Sequence, residues 1–259
     1  MNSAVQLHYT RYGSGEPLVL LHGWSMNSQV WQAVQSDLAD HWELYCIDLP
    51  GHGRSANIDA GGVNASFQAW GDAVLAVAPS QARWLAWSLG GTIALALAAR
   101  APQRITQLDL ITATPKFIVS DNWPHAVRDI VWQRFVKAFQ EDPVLANQQF
   151  MQLQALGVCG SRELGRKLQH IQTTGGEPSA AAMMLGLQFL QALDLRQTLQ
   201  DIQCPLSLLL GEHDKLIPAA VKEDLLQIKS NLCIEVIAGA GHVPFLSHPQ
   251  AFLNALHAE

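Results

Sequence analysis

Seven short apolar runs, "VQLHYTRY", "PLVLLHG", "WELYCIDLP", "ARWLAWS", "ITQLDLITA", "CPLSLLLGE" and "LCIEVIAGA", recur along the chain, and most are separated by segments of helical periodicity such as "SQVWQAVQSDLAD" and "SFQAWGDAVLAVA". Strands that alternate with helices build a parallel sheet whose crossovers cover its faces. The rhythm stops after Pro115. From there to about Thr198 the periodicity is helical throughout, with turn signals at "EDP", "LGVCGS" and "TTGGEPS". A structureless loop of that length is uncommon, so the stretch reads as a helical subdomain. The expected organisation is an α/β core in two parts, 1–114 and 194–259, with a helical lid over 115–193.

Composition narrows the class further. The 259 residues are 49% hydrophobic and 15% charged, enough for one large core. A net charge of -6 argues against general nucleic-acid binding, which needs a basic surface. The start, "MNSAVQLHYTRYGSGEP", lacks a basic segment followed by an apolar one, and no later apolar run reaches about 18 residues. The expectation is a cytoplasmic, soluble monomer with no membrane or nucleic-acid partner. Cys46, Cys159, Cys204 and Cys233 show no C-x-x-C spacing and read as buried reduced thiols.

Ser88 sits between the strand "RWLAWS" and the helix "LGGTIALALAARAP". A serine there ordinarily caps the helix. The surrounding pattern, Ala86-Trp87-Ser88-Leu89-Gly90, is small-x-Ser-x-Gly, the signature of a nucleophile held in a strained strand-to-helix turn where large neighbours do not fit. Such a hydroxyl needs a histidine to take its proton and a carboxylate to orient that histidine. Asp214 follows the strand "CPLSLLLGE", and His242 follows "CIEVIAGA", giving the order serine, acid, histidine. His213 and His248 read as structural, and Asp214 is preferred to its near neighbour Glu212 as the acid. After "LDLITATP" no carboxylate appears until Asp121. The backbone amides of Leu89 and Trp24 are the expected oxyanion donors. "DLPGHGRS" lacks the lysine of a phosphate loop and reads as a turn flanking the site.

"LLHGW", "DLPGHGRS", "WLAWSLGG", "DLRQTLQ", "PLSLLLGEHDKLIP" and "GAGHVPFLSHP" together resemble the α/β-hydrolase superfamily, and within it the methyl ester esterases of biotin biosynthesis, which act on an acyl group borne by acyl-carrier protein. The resemblance implies an α/β-hydrolase fold, a mostly parallel sheet flanked by helices, with a helical lid inserted after the sixth strand. It places substrate contacts on Trp24, Ser88, Leu89, His242 and the lid segment Phe150, Met151, Gln152, Leu153 and Gln154. It implies no metal and no organic cofactor. Residues 116–170 carry seven basic and five acidic side chains, so this stretch is positive while the rest of the chain is strongly negative. Arg162 and Arg166, four apart on one helix face, match basic positions of the resembled esterases and could steer an acidic carrier protein; two other such positions fall on Leu145 and Gln149. The expected activity is hydrolysis of the methyl ester of pimeloyl-acyl-carrier protein by a serine carboxylesterase. The alternatives are a short-chain carboxylesterase on small esters without carrier recognition, and a ligand receptor that keeps the same residues without catalysis.

Overall fold

The computed structural model describes residues 6–257. Seven strands form one sheet: β1 (Tyr9–Tyr12), β2 (Glu16–Leu21), β3 (Trp42–Ile47), β4 (Ala82–Trp87), β5 (Ile105–Ile111), β6 (Leu206–Gly211) and β7 (Cys233–Ile237). Their order is β1-β3-β2-β4-β5-β6-β7, parallel except where β1 pairs antiparallel with β3. Val5, where the first strand candidate begins, lies outside the described residues.

Eleven helices connect these strands among the described residues: α1 (Gln35–Ala39), α2 (Val63–Val77), α3 (Leu89–Arg100), α4 (Asp129–Glu141), α5 (Pro143–Ala155), α6 (Ser161–Gly175), α7 (Ala180–Ala192), α8 (Arg196–Asp201), α9 (Val221–Ile228), α10 (Pro244–Ser247) and α11 (Pro249–His257). The segment expected as one helix after β2 divides into a 3-10 turn, Ser28–Ala33, and α1, because Val34 leaves helical geometry at φ -122.

Position in the sheet decides which strands are apolar. β4 and β6 lie inside the sheet and read as nearly unbroken buried runs. β7 lies at the edge and alternates exposed with half-buried residues. The reading of the cysteines as buried is corrected: Cys233 is exposed on that edge, Cys159 is exposed before α6, Cys204 is half-buried, and Cys46 is buried. α3 is buried on nine of its twelve residues, which explains its apolar circumference.

Two expectations about the insertion are corrected. It follows β5, the fifth strand among the described residues, where a sixth was expected. It is also not helical from its start. Between residues 116 and 128 the chain makes isolated bridges, among them Ile118 to Val127 and Ser120 to Trp123 around the turn at Asp121 and Asn122, and helix begins at Asp129. The two strands of chain at its base meet at a Lys116–Asp194 bridge, where Leu195 N donates to Pro115 O at 2.8 Å. Asp194 accepts from Lys116 Nζ at 2.8 Å and from Arg196 Nε and Nη2 at 2.8 and 2.7 Å, which holds its carboxyl far below the usual carboxylate range. The "DLR" triplet thus ties the base of the insertion.

Two buried histidines fasten the loops at the carboxyl edge of the sheet. His22 Nδ1 donates to Gly23 O at 2.8 Å while its Nε2 accepts from Leu49 N at 2.9 Å, so the neutral ring links the loop after β2 to the loop after β3. Burial lowers its pKa. His52 donates from Nδ1 to Pro50 O at 2.9 Å, and burial pushes its pKa down to about 3. Both rings favour the neutral form in the folded state, whereas in the unfolded chain they protonate below the ordinary value of 6.5. Unfolding therefore takes up protons, and stability falls as pH drops from 6.5 toward 3. Denaturant unfolding at a series of pH values should show this decline, and His52→Phe should flatten it.

Candidate active site

β2 and β4 are neighbours, with Leu21 opposite Ala86, while the chain leaves β2 toward β3 on one side and β4 toward β5 on the other. At such a reversal of strand order the loops diverge and leave room for a ligand at the carboxyl ends of the strands. Ser88 stands there. Its backbone adopts φ 52 and ψ -117, a conformation unusual for a residue with a side chain, between the end of β4 and the start of α3.

The turn closes only because its neighbours are small. A Cβ at Gly90 would lie 2.5 Å from His22 O, one at Gly91 would lie 2.5 Å from Ala113 Cβ, and one at Gly23 would lie 2.9 Å from Trp87 Cε3 and 3.1 Å from Ser88 Cβ. Gly23 and Gly90 bring the loop after β2 against the serine turn, and Gly91 brings α3 against the chain leaving β5.

Ser88 Oγ lies 3.1 Å from His242 Nε2, and His242 Nδ1 lies 2.8 Å from Asp214 Oδ2. His242 and Asp214 are buried, and Ser88 is half-buried. The other carboxylate oxygen, Asp214 Oδ1, accepts from Leu216 N at 2.8 Å and Ile217 N at 3.1 Å. With Oδ1 held by two amides, Oδ2 fixes the proton of His242 on Nδ1 and leaves the Nε2 lone pair facing the serine hydroxyl. That arrangement can remove the proton from Ser88 as it attacks an acyl carbon. The competing residues are elsewhere. Glu212 is exposed and accepts from Gly239 N at 2.8 Å, and His213 is also exposed. His248 precedes α11.

Leu89 opens α3, where the first N–H groups of a helix have no acceptor within it. The Trp24 ring is buried beneath the insertion, 4.7 Å from the Phe150 ring and 5.9 and 5.7 Å from Phe135 and Phe139, and its Nε1 donates to Met183 O at 2.8 Å. A Cβ at Gly186 would come 2.7 Å from Trp24 Cδ1 and 3.1 Å from Leu89 Cδ2, so α7 rests directly on both residues. The segment Phe150 to Gln154 divides. Phe150 and Leu153 pack in the same apolar cluster as Trp24, and Met151 packs in the cluster of Trp87 and Phe245. Gln152 is exposed beside Gly165 of α6, and Gln154 is buried with Nε2 3.5 Å from Met151 Sδ and Oε1 without a protein partner. Arg162 and Arg166 are exposed on α6, and neither is paired with a carboxylate among the described residues.

Sequence reasoning missed the residues that hold these groups in place. Trp87 Nε1 and Thr112 Oγ1 both donate to His242 O at 2.9 Å. Ser25, Asn27, Asn147 and Gln172 bind the loop after β2 to the insertion. The available signal was positional: Gln172 lies on the same face of α6 as the buried Leu164, Leu168 and Ile171.

Residues 16–249 match the family model of the alpha/beta hydrolase fold. The chain belongs to the α/β-hydrolase family. It is 39% identical over 253 residues to the pimeloyl-[acyl-carrier protein] methyl ester esterase of Pectobacterium carotovorum subsp. carotovorum (strain PC1), covering 97% of each chain. It is 37% identical to the protein of that name from Serratia marcescens, again over 97% of each. Among solved structures it resembles an esterase from Exiguobacterium antarcticum (TM-score 0.85, 21% identity, 99% of this chain and 98% of the other). A bromoperoxidase from Bacillus anthracis is similarly close (TM-score 0.84, 18% identity, 97% and 94%). At those identities the likeness is one of fold.

The two acidic candidates can be separated by mutation. Asp214→Asn should lower ester turnover by roughly 10⁴, because the amide can donate to Nδ1 and so favours the tautomer with the proton on Nε2. Glu212→Gln should leave turnover near the starting value. Steady-state kinetics on p-nitrophenyl butyrate would compare them directly, and a larger loss in Glu212→Gln would reassign the acid.

Proposed function

We propose that this chain is a cytoplasmic serine carboxylesterase that hydrolyses the methyl ester of pimeloyl-acyl-carrier protein in biotin biosynthesis, releasing methanol and the free acid. The observation that carries the chemistry is the Ser88–His242–Asp214 array, with Nε2 at 3.1 Å and Oδ2 at 2.8 Å from their partners. The choice of substrate is supported by relatives of that name at 37–39% identity over 97% of the chain.

The reaction then runs in two halves. Ser88 Oγ attacks the ester carbonyl while His242 Nε2 takes its proton, and the Leu89 and Trp24 amides receive the negative charge that develops on the carbonyl oxygen. His242 returns the proton to the departing methoxide. Water, deprotonated by His242, attacks the acyl-enzyme, and Ser88 leaves with the proton restored. Asp214 orients the ring throughout and stabilises its charged form. The array itself needs no metal or organic cofactor for these steps.

Carrier recognition is supported by the surface of the insertion. Arg162 and Arg166 present an unpaired basic face on α6, and Val144 and Leu145 at the start of α5 are large apolar side chains exposed by 68% and 50%. The basic face suits an acidic carrier, with charge guiding encounter. No helix among the described residues is long and apolar enough to cross a membrane.

Ser88→Ala should reduce turnover of every ester by about 10⁶. Arg162→Glu combined with Arg166→Glu should lower kcat/KM for the carrier-borne methyl ester by about tenfold, with a small free ester hydrolysed as before. Raising ionic strength from about 0.01 M to 1 M shortens the Debye length from about 30 Å to 3 Å and should reproduce that selectivity in the unmutated enzyme. Methanol release from the two substrates measures both effects. Loss of carrier selectivity in neither experiment would favour the short-chain esterase.

A further inference from the structure

Ser25 is a residue with a side chain at φ 65, the left-handed region that glycine adopts without cost. It is fully buried and directly follows Trp24. A closed ring of side chains from the insertion surrounds it. Gln172 Nε2 on α6 donates to Ser25 O at 2.6 Å and to Ser25 Oγ at 3.0 Å. Ser25 Oγ donates to Asn147 Oδ1 on α5 at 2.7 Å, and Asn147 Nδ2 donates to Gln172 Oε1 at 2.9 Å. Every polar atom of the three side chains has a partner within the ring, the arrangement in which a buried polar network specifies one geometry.

The flanking residues are tied to the same helices. Trp24 Nε1 donates to Met183 O on α7. Asn27 Nδ2 lies 3.3, 3.1 and 3.3 Å from the carbonyl oxygens of Ile171, Gln172 and Gly176 at the end of α6. Three of the four residues in "WSMN" are therefore held by side chains or carbonyls of the insertion.

We infer that Gln172, supported by Asn147, is a positioning residue for ester hydrolysis: it holds Ser25 in the left-handed conformation and so fixes the direction of the neighbouring Trp24 amide toward the oxyanion. This rests on the reading that Trp24 supplies an oxyanion donor to a serine esterase. Gln172 touches no reacting atom. Its effect passes through the four-residue turn Gly23–Met26, closed by Met26 N donating to Gly23 O at 3.3 Å: Ser25 at φ 65 is the third residue of that turn, and the closed turn couples its conformation to the Gly23–Trp24 peptide that carries the Trp24 N–H. The ligand-facing consequence is that the insertion completes the oxyanion site as well as covering it.

Gln172→Met keeps the length of the side chain and removes its donor and acceptor. The expected result is a fall in kcat of about 10²-fold with KM nearly unchanged, because a donor that acts on the oxyanion contributes in the transition state more than in substrate binding. The inhibition constant of a trifluoromethyl ketone, which forms an oxyanion on Ser88, should rise in parallel. Adding Ser25→Gly should restore kcat by about tenfold, since glycine takes φ 65 without a clamp. Gln169→Met, on the exposed face of α6, should alter none of these values.

Thermal unfolding of each variant accompanies the kinetics. A Gln172→Met variant that unfolds near the assay temperature and is not rescued by Ser25→Gly would make the role structural and overturn the inference. Unchanged kcat in a folded Gln172→Met variant would overturn it while leaving the esterase reading intact. Absence of ester turnover in the unmutated protein would overturn both.

Discussion

The backbone at Ser88 turns out of β4 at φ 52 and enters α3 within one residue, and the shape of the whole site follows from how tightly that turn must be packed. A strand that ends in such a turn presents its next side chain upward from the sheet edge instead of to either face. Keeping it there requires the chain on both sides to approach closely: Gly23 and Gly90 admit the loop after β2, and Gly91 admits the segment after β5. These contacts come from three neighbouring strands, β2, β4 and β5. A larger residue at any of the three glycines would move the strand ends apart, and the cost would fall on Ser88 and on the proposed oxyanion amides together.

The insertion is joined to this core at two kinds of contact with different physics. At its base the joint is ionic and partly exposed, with Asp194 between Lys116 and Arg196. Ion pairs of that exposure contribute modestly to stability. Near Ser88 the joint is buried. The Trp24 ring lies among Phe135, Phe139 and Phe150, and polar groups of "WSMN" pair with α5, α6 and α7. Aromatic packing supplies much of the attraction there, since each ring removes 150–250 Å² or so of surface from water, while the hydrogen bonds choose one orientation among many packed ones.

Alternation of strands and helices, the serine turn and the order Ser88, Asp214, His242 were legible in the sequence because each depends on local residue type and spacing. Gly90 and Gly91 beside Ser88 have meaning wherever a strand meets a buried helix. Other features were not legible for equally physical reasons. Cys233 lies in an apolar run, yet it is exposed because β7 forms the edge of the sheet, and edge position is a property of strand order. The stretch from Lys116 to Arg128 forms bridges instead of helix, and one of them, from Lys116 to Asp194, joins residues 78 apart that no local pattern relates. Ser25, Asn147 and Gln172 are separated by 122 and 25 residues, so no local pattern could announce that they form one ring.

His242 shows how such nonlocal partners complete a group that the sequence places only approximately. Its ring is oriented by Asp214, whose Oδ1 is occupied by the amides of Leu216 and Ile217, so the carboxylate cannot rotate to offer a different oxygen without losing two hydrogen bonds. Its backbone is held from the opposite side, where the indole of Trp87 on β4 and the hydroxyl of Thr112 beyond β5 share the His242 carbonyl. Trp87 immediately precedes Ser88, and Thr112 follows Ile111, whose carbonyl accepts from Ser88 N at 3.0 Å. The same two strand ends that fix the serine backbone therefore fix the histidine backbone. A shift of the sheet edge carries both residues together, and the 3.1 Å separation between Ser88 Oγ and His242 Nε2 is preserved because the two share one support.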